Sequence, residues 1–217
     1  MFRKVLIANR GEIAIRITRC LQELGVTSAV VYSDADRSAP HVRAADEAYH
    51  LPGVASADTY LNGSAIIALA RAHGVQAIHP GYGFLSENSG FAQACAGAGL
   101  TFIGPSPEVI RAMGDKIVAR ATLADAGVPV VPGWHGPDDA VDEAELAQQA
   151  DRIGYPVMLK AAAGGGGKGM RIVRGRAELG ESLAAARREA QGAFGDARIF
   201  LEKYLERARH VEFQIFG

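Results

Sequence analysis

Cysteine is scarce, with only Cys20 and Cys95 in 217 residues. The two lie far apart, each in a helical and mostly apolar stretch. This excludes a disulfide-stapled scaffold and suggests a pair of reduced core or near-core thiols in a cytosolic-type compartment. Neither sign of charge is in excess: 23 Lys and Arg face 24 Asp and Glu, for a formal net charge of -1. No electrostatic footprint for nucleic acid or an anionic membrane surface follows, so an anionic ligand has to be held by local groups. No apolar run approaches the ~20 residues of a membrane span. Met1-Phe2-Arg3-Lys4 leads straight into a strand without an apolar leader, and the expected location is the cytoplasm. Internal repeats are also missing, as are low-complexity tracts apart from one glycine run. At 48% apolar residues, the chain can bury one substantial core or two smaller ones.

Periodicity then supplies the elements. Lys4 to Ala8 is a short run rich in branched side chains. After Asn9-Arg10-Gly11, the positions Ile13, Ile17, Leu21 and Leu24 keep helical spacing until Gly25. The alternation continues with strands at Ser28 to Tyr32 and Ala48 to Leu51, a helix at Ser64 to His73 and a strand at Ala77 to His79. A helix at Ser89 to Ala98 and a strand at Thr101 to Ile103 follow. Strands alternating with helices predict a doubly wound parallel α/β sheet, whose ligands sit beyond the carboxyl ends of the strands.

Past Gly104-Pro105-Ser106-Pro107 the pattern changes. Helical stretches near Glu108 to Met113 and Lys116 to Ala126 lead to Pro129-Val130-Val131-Pro132-Gly133, read as a hinge. Asp142 and Glu145 have capping-box spacing; Leu146, Ala150 and Ile153 form one helical face, closed by Gly154. Strands at Pro156 to Ala161 and Met170 to Val173 flank the glycine run. A helix through Leu179, Leu183 and Ala190 follows, then strand-like segments at Arg198 to Lys203 and His210 to Phe216. The shift at the prolines predicts two domains.

The segment Lys160-Ala161-Ala162-Ala163-Gly164-Gly165-Gly166-Gly167-Lys168-Gly169-Met170 carries the strongest chemical signal. Gly164 to Gly169 spells G-x-G-x-x-G, but a dinucleotide fingerprint runs from a strand into a helix, and here a strand follows. A P-loop fails as well, because Gly169 stands where Ser or Thr would hold magnesium. There remain a flexible surface turn and a glycine hairpin that folds backbone N–H groups over a polyphosphate, with Lys160 as the cation. Four consecutive glycines between two strands and two lysines favour the hairpin, since a mere turn does not need their conformational entropy.

Other segments are ambivalent. Met113-Gly114-Asp115-Lys116 reads first as an ordinary helix start, with Asp115 near its positive end and Lys116 solvated. Glu202-Lys203-Tyr204-Leu205 is either a plain strand end or a place where backbone groups meet the edge of an adenine, with Tyr204 or Leu205 on apolar surface. The loop from His79 to Asn88 can face a ligand or can be a demanding connection with Tyr82 and Phe84 packed locally. His210 reads first as a structural histidine.

Taken together, these segments resemble biotin carboxylase, over essentially the whole chain: Ile7 to Ala14, His79 to Asn88, Met113 to Lys116, Lys160 to Met170, Glu202 to Leu205, and Arg209 to Glu212. The resemblance implies an ATP-grasp enzyme. Its doubly wound pre-ATP-grasp sheet looks like a dinucleotide-binding domain without binding a dinucleotide, and a smaller α+β lid follows. The corresponding boundaries are 1–114 for the first domain, 115–133 for a connecting helix and hinge, 134–203 for the lid and 204–217 for the start of the ATP-grasp core. By the same resemblance Lys116 and Lys160 contact ATP phosphates, and Gly165, Gly166, Gly167 and Met170 belong to the lid loop. Glu202, Lys203, Tyr204 and Leu205 border adenine, His210 contacts nucleotide, and Tyr82 and Gly83 face the biotin and bicarbonate region. Ala208 departs from the proline the family often has before the Arg-His pair.

The family continues well past position 217, with the carboxylates that hold magnesium and the basic residues that bind bicarbonate. The second half of the ATP-grasp domain is therefore expected to be absent, and the chain to be a piece of a longer subunit. The implied reaction is phosphorylation of bicarbonate by ATP to carboxyphosphate, then carboxylation of biotin. The implied partners are a biotin carboxyl carrier protein or domain, a carboxyltransferase subunit and, in the full-length form, a second copy. Other ATP-grasp carboxylate-amine ligases and a non-catalytic nucleotide-binding fragment are the competing readings.

Overall fold

The computed structural model describes residues 1–136, 142–163, 167–209, 211 and 213. The chain divides into two compact units, Met1–Arg111 and Ala112–Gly217. No helix among the described residues is long and apolar enough to cross a membrane.

The first unit is built on five parallel strands, β1 (Lys4–Ile7), β2 (Thr27–Tyr32), β3 (Glu47–His50), β4 (Ala77–His79) and β5 (Thr101–Phe102). Their order is β3-β2-β1-β4-β5, so the winding reverses between β1 and β4. Helices α1 (Gly11–Glu23), α2 (Pro40–Ala44), α3 (Gly63–Ala72) and α4 (Ser89–Gly97) make the returns. Both sheet faces are covered, which explains why the strands read as continuous apolar runs. Leu6, Ala29, Val31 and Ile78 pack with Ile66 and Ala70 of α3 and Phe91 and Cys95 of α4. The alternate residues Val5, Ile7, Val30 and Ala77 pack with Ala14, Ile17 and Leu21 of α1. Cys95 is buried, and burial pushes its thiol up to about 11. Cys20 corrects the near-core expectation: it is exposed, because α1 turns Ala14, Ile17, Thr18 and Leu21 inward and leaves position 20 outside that stripe.

The second unit is antiparallel. Strands β6 (Gly133–Trp134), β7 (Val157–Ala161), β8 (Arg171–Val173) and β9 (Ile199–Lys203) lie in the order β6-β9-β7-β8. Helix α5 (Pro107–Gly114) spans the point where the units join in sequence, and α6 (Lys116–Asp125), α7 (Glu143–Ile153) and α8 (Leu179–Phe194) belong to the second unit. Val157, Leu159, Ala161, Val173, Ile199 and Leu201 form the sheet's apolar face against Leu146 and Ala150 of α7 and Leu179, Leu183, Ala186 and Ala190 of α8. Asp142 caps α7 by accepting the Ala144 N–H at 3.3 Å, and Gly154 ends it at φ 83°. Gly133, expected to close a hinge, instead pairs with Glu202 as the start of β6. Of the strand expected at His210 to Phe216, only Val211 and Phe213 are described; both are exposed and neither is in a strand.

Gly133 is sterically constrained. A Cβ there would lie 2.5 Å from the Leu201 carbonyl oxygen, a backbone atom fixed by the sheet. Gly133→Ala is therefore expected to cost about 1–3 kcal/mol, the usual penalty of overpacking. Urea unfolding monitored by far-UV circular dichroism checks this, and an unchanged midpoint would show that β6 can yield to a methyl group.

Candidate functional site

The site begins with the alternation along β7. Val157, Leu159 and Ala161 are buried beneath the helices, which turns Met158 and Lys160 to the opposite face. Lys160 is the last polar residue before the glycine run. Gly164, Gly165 and Gly166 lie outside the described residues. Across the turn, Gly167 and Gly169 have φ of 78° and 70°, and Lys168 is exposed between them. At Gly169 a Cβ would also approach the Ala161 Cβ to 3.2 Å and the Ala190 Cβ to 3.5 Å. The returning limb thus passes close above the end of β7 and α8, where only glycine suits both the conformation and the space. Met170 follows, 42% exposed, before β8.

Two cations converge on one carboxylate. Register pairs Lys160 with Phe200 and Met158 with Glu202, so Lys160 and Glu202 are diagonal neighbours on one face of the sheet. The Lys160 ammonium donates to Glu202 Oε2, and Arg120 Nη1 donates to Glu202 Oε1 at 2.9 Å. Arg120 Nη2 also donates to the Val131 carbonyl. Sequence reasoning missed Arg120, although it stands four residues after Lys116 on α6, the spacing that places two side chains on one helix face.

A second cluster anchors the start of α6. Asp115 caps it, accepting from the Ile117 N–H at 2.9 Å and the Val118 N–H at 3.2 Å. Its other oxygen accepts from Arg198 Nη2 at 3.0 Å, and Arg198 is itself clamped by Asp196. Those carboxylates raise the Arg198 pKa, Asp196 foremost, and hold its guanidinium charged. The Lys116 N–H donates to the Ala162 carbonyl at 3.2 Å, and the Ala162 N–H to the Arg198 carbonyl at 2.9 Å. The half-buried Lys116 is therefore tied by its backbone to the residue two places beyond Lys160.

The 202–205 segment commits two of its backbone donors within the protein. Because β9 is paired on both sides, the Lys203 N–H goes to the Pro132 carbonyl at 2.7 Å and the Tyr204 N–H to the Pro156 carbonyl at 3.1 Å. These donors are committed within the protein. The Lys203 ammonium is committed too, to the carbonyls of Gly154 (2.8 Å) and Tyr155 (3.0 Å). Leu205 is 54% exposed instead of packed. His210 lies outside the described residues.

Tyr82 and Gly83 belong to the first unit, in the loop after β4. Buried Asn9, just after β1, donates through Nδ2 to the Pro80 and Tyr82 carbonyls, both at 2.8 Å. Gly81 makes this possible: with φ 67°, a Cβ there would sit 2.6 Å from Asn9 Nδ2. Phe84 stacks on Tyr60 with centroids 5.2 Å apart, whereas the Tyr82 side chain is 63% exposed. Only one of the two aromatics is local core.

At the carboxyl ends of β1 and β2, Asp36 gathers four donations. Arg10 contributes Nε at 2.7 Å and Nη2 at 2.6 Å, Tyr60 Oη lies at 2.7 Å, and Ser33 Oγ at 3.2 Å. The Arg10 hydrogen bonds, helped by Tyr60, hold the Asp36 carboxyl well below the usual carboxylate range despite its burial. Among the described residues no group of three or more His, Cys, Asp or Glu converges as a metal site.

A depressed folded-state carboxyl contributes stability above its unfolded pKa and loses it as pH falls through the folded one. Asp36→Asn is therefore expected to destabilise the protein at neutral pH by about 1–3 kcal/mol, discounted because Arg10 is half exposed. The gap between parent and variant should narrow below about pH 4, where the unfolded carboxyl takes up its proton. Thermal melts of both proteins between neutral and acid pH test this; a gap that widens on acidification would refute the assignment.

Two family models match the chain: the biotin carboxylase N-terminal domain over residues 1–110 and the carbamoyl-phosphate synthase L chain ATP binding domain over 115–217. The chain is 54% identical to a biotin carboxylase of Nostoc sp. over 216 residues, covering 100% of this chain and 48% of that protein. It is also 54% identical to the mitochondrial methylcrotonoyl-CoA carboxylase subunit alpha of Glycine max, over 99% of this chain and 29% of that one. The chain therefore spans about half the length of the curated biotin carboxylase and under a third of the carboxylase subunit. Among solved structures, Campylobacter jejuni biotin carboxylase in a β,γ-ATP complex superposes with a TM-score of 0.90 at 44% identity, over 95% of this chain and 46% of that one. The biotin carboxylase domain dimer of Hydrogenobacter thermophilus 2-oxoglutarate carboxylase, holding MgADP, ADP and bicarbonate, gives 0.88 at 50% identity, over 95% and 45%. With its winding order, its lysine-flanked glycine turn and these matches in agreement, the chain belongs to the biotin carboxylase family, of which it carries the amino-terminal domain and the beginning of the ATP-binding domain.

Proposed function

We propose that this chain supplies the amino-terminal and nucleotide-gripping part of a biotin carboxylase. The enzyme phosphorylates bicarbonate with ATP and passes the carboxyl group to a ureido nitrogen of biotin. The observation that carries this reading is the meeting of Lys160 and the glycine turn at the end of β7, with the start of α6 tied beside them through Lys116 and Ala162. Lysine ammonium groups and backbone N–H groups of a glycine turn are the donors that neutralise charge on a transferring phosphoryl group. The glycine segment 164–169, whose residues Gly165, Gly166 and Gly167 cover the phosphates in this reading, acts as a lid that keeps water from a hydrolysable intermediate. Lys116 and Lys160 hold phosphate oxygens, Met170 borders the nucleotide, and His210 contacts it. Glu202 and Leu205 border adenine through groups other than the two committed N–H donors. Tyr82 and Gly83 face biotin and bicarbonate.

Magnesium accompanies ATP in this chemistry, and in this reading the family resemblance assigns its carboxylate ligands to the part of the enzyme past residue 217. The partners in this reading are a biotin-bearing carrier and a carboxyltransferase, with a homodimer as the assembled form and the cytoplasm as the location. The carbamoyl-phosphate synthase match over 115–217 favours a second reading, an amine-directed ATP-grasp ligase. In the full-length protein, bicarbonate-dependent ADP release that requires free biotin separates the two; release driven by an amine instead would support the second.

In the intact enzyme, Lys160→Ala is expected to weaken nucleotide binding by about 1.5–3 kcal/mol, the scale of a hydrogen bond to a charged group. Calorimetric titration with MgADP reads this directly. Equal affinities in parent and variant would remove Lys160 from the phosphate site.

A further inference from the structure

The ion cluster on the face of the second sheet opposite α7 and α8 holds more positive charge than it uses. Glu202 is one carboxylate with two cationic partners, Arg120 and Lys160. All three side chains are largely withdrawn from water, at 15%, 16% and 28% exposure for Glu202, Arg120 and Lys160. The two cations are not equivalent. Arg120 is fixed at both prongs of its fork, by Glu202 Oε1 and by the Val131 carbonyl ahead of β6. Gly133 packs against the pair, where a Cβ would sit 3.2 Å from Arg120 Cζ and 3.1 Å from Glu202 Cγ. Lys160 stands on a long flexible stem, and among the described residues its ammonium has one anionic partner, Glu202 Oε2.

We infer that Arg120 is a positioning residue for Lys160: by keeping Glu202 neutralised, it lets the Lys160 ammonium leave that carboxylate for an anionic phosphate oxygen of a bound nucleotide. The inference rests on the nucleotide reading given above. Its physical basis is the asymmetry of partly buried ion pairs. Removing the sole partner of a desolvated carboxylate is costly, whereas removing one of two leaves a compensated charge. Without Arg120, Glu202 and the nucleotide compete for the same ammonium. With it, the cluster carries one surplus positive charge, the complement of an incoming anion. The planar guanidinium suits the holding role, because it keeps its charge and can bind a carboxylate and a carbonyl at once. Lysine suits the mobile one.

The test is a calorimetric titration of the full-length enzyme with MgADP, for the parent, Lys160→Ala, Arg120→Gln, Arg120→Lys, Glu202→Gln and the Arg120→Gln/Glu202→Gln pair, with circular dichroism melts alongside. Arg120→Gln is expected to weaken binding roughly tenfold, equivalent to ~1.4 kcal/mol. Adding Glu202→Gln removes the competing carboxylate and should restore affinity to within about twofold of Glu202→Gln alone. A merely structural Arg120 would leave the double variant as weak as the single one, which overturns the inference. Should Arg120→Gln fail to fold, Arg120→Lys keeps the charge while losing the second prong and should bind nearly as the parent does; a tenfold loss there in a folded protein would also overturn it. A parent that binds MgADP with an unaffected Arg120→Gln sinks this inference alone. A parent that does not bind at all sinks the nucleotide reading and this one with it.

Discussion

The pairing of β9 on both of its edges is the constraint on which the second unit rests. Hydrogen bonded to β6 on one side and β7 on the other, β9 has no freedom to slide. A shift of one residue would exchange its faces, sending Glu202 into the apolar layer and Leu201 out of it. The register that buries Leu159 opposite Leu201 is therefore the register that sets Glu202 diagonal to Lys160. Packing energy and site geometry are one choice here. The Lys203 ammonium, on the buried side, closes the same arrangement by binding the two carbonyls at the end of α7.

Charge is distributed differently in the two units. In the first, the strand ends where doubly wound sheets usually accept ligands are occupied from within. Asn9 bridges the loop after β4, and Arg10 satisfies Asp36 together with Tyr60 and Ser33. A dinucleotide ribose or pyrophosphate would have to displace charge-assisted bonds that are already short and well aligned. In the second unit the cations exceed the carboxylate they share at Glu202, and the excess lies beside a glycine turn. Arg10 and Asp36 balance each other, whereas Arg120 and Lys160 leave one cation in excess of the carboxylate they share.

Much of the architecture was legible in the sequence because it depends on local period. Strand β1 was readable as a branched apolar run, and α1, α7 and α8 as apolar positions at helical spacing, with Gly25 and Gly154 as stops for the first two. The misses share a cause. Cys20 looked near-core because it lies in a helix with a regular apolar stripe, yet the phase of α1 leaves it outside. Gly133 looked like the end of a hinge, since a two-residue edge strand has no period to detect. The N–H groups of Lys203 and Tyr204 looked available for a ligand, but whether a strand end is free depends on how many neighbours it has.

The candidate site divides along the same line. Residue type and spacing determined that Lys160 precedes a glycine run between strands and that a helix starts near Asp115 and Lys116, since both are properties of a few consecutive residues. The sequence also carried, through several ordered motifs at once, the membership in the biotin carboxylase family. Only the tertiary structure decided that Arg120 and Lys160 share Glu202, across separations of 82 and 42 residues, and that Arg198 holds Asp115 from 83 residues away. Ion pairs of that kind have no sequence signature, because a carboxylate's partner is chosen by the register and crossing of strands brought together in folding, and not by its neighbours along the chain.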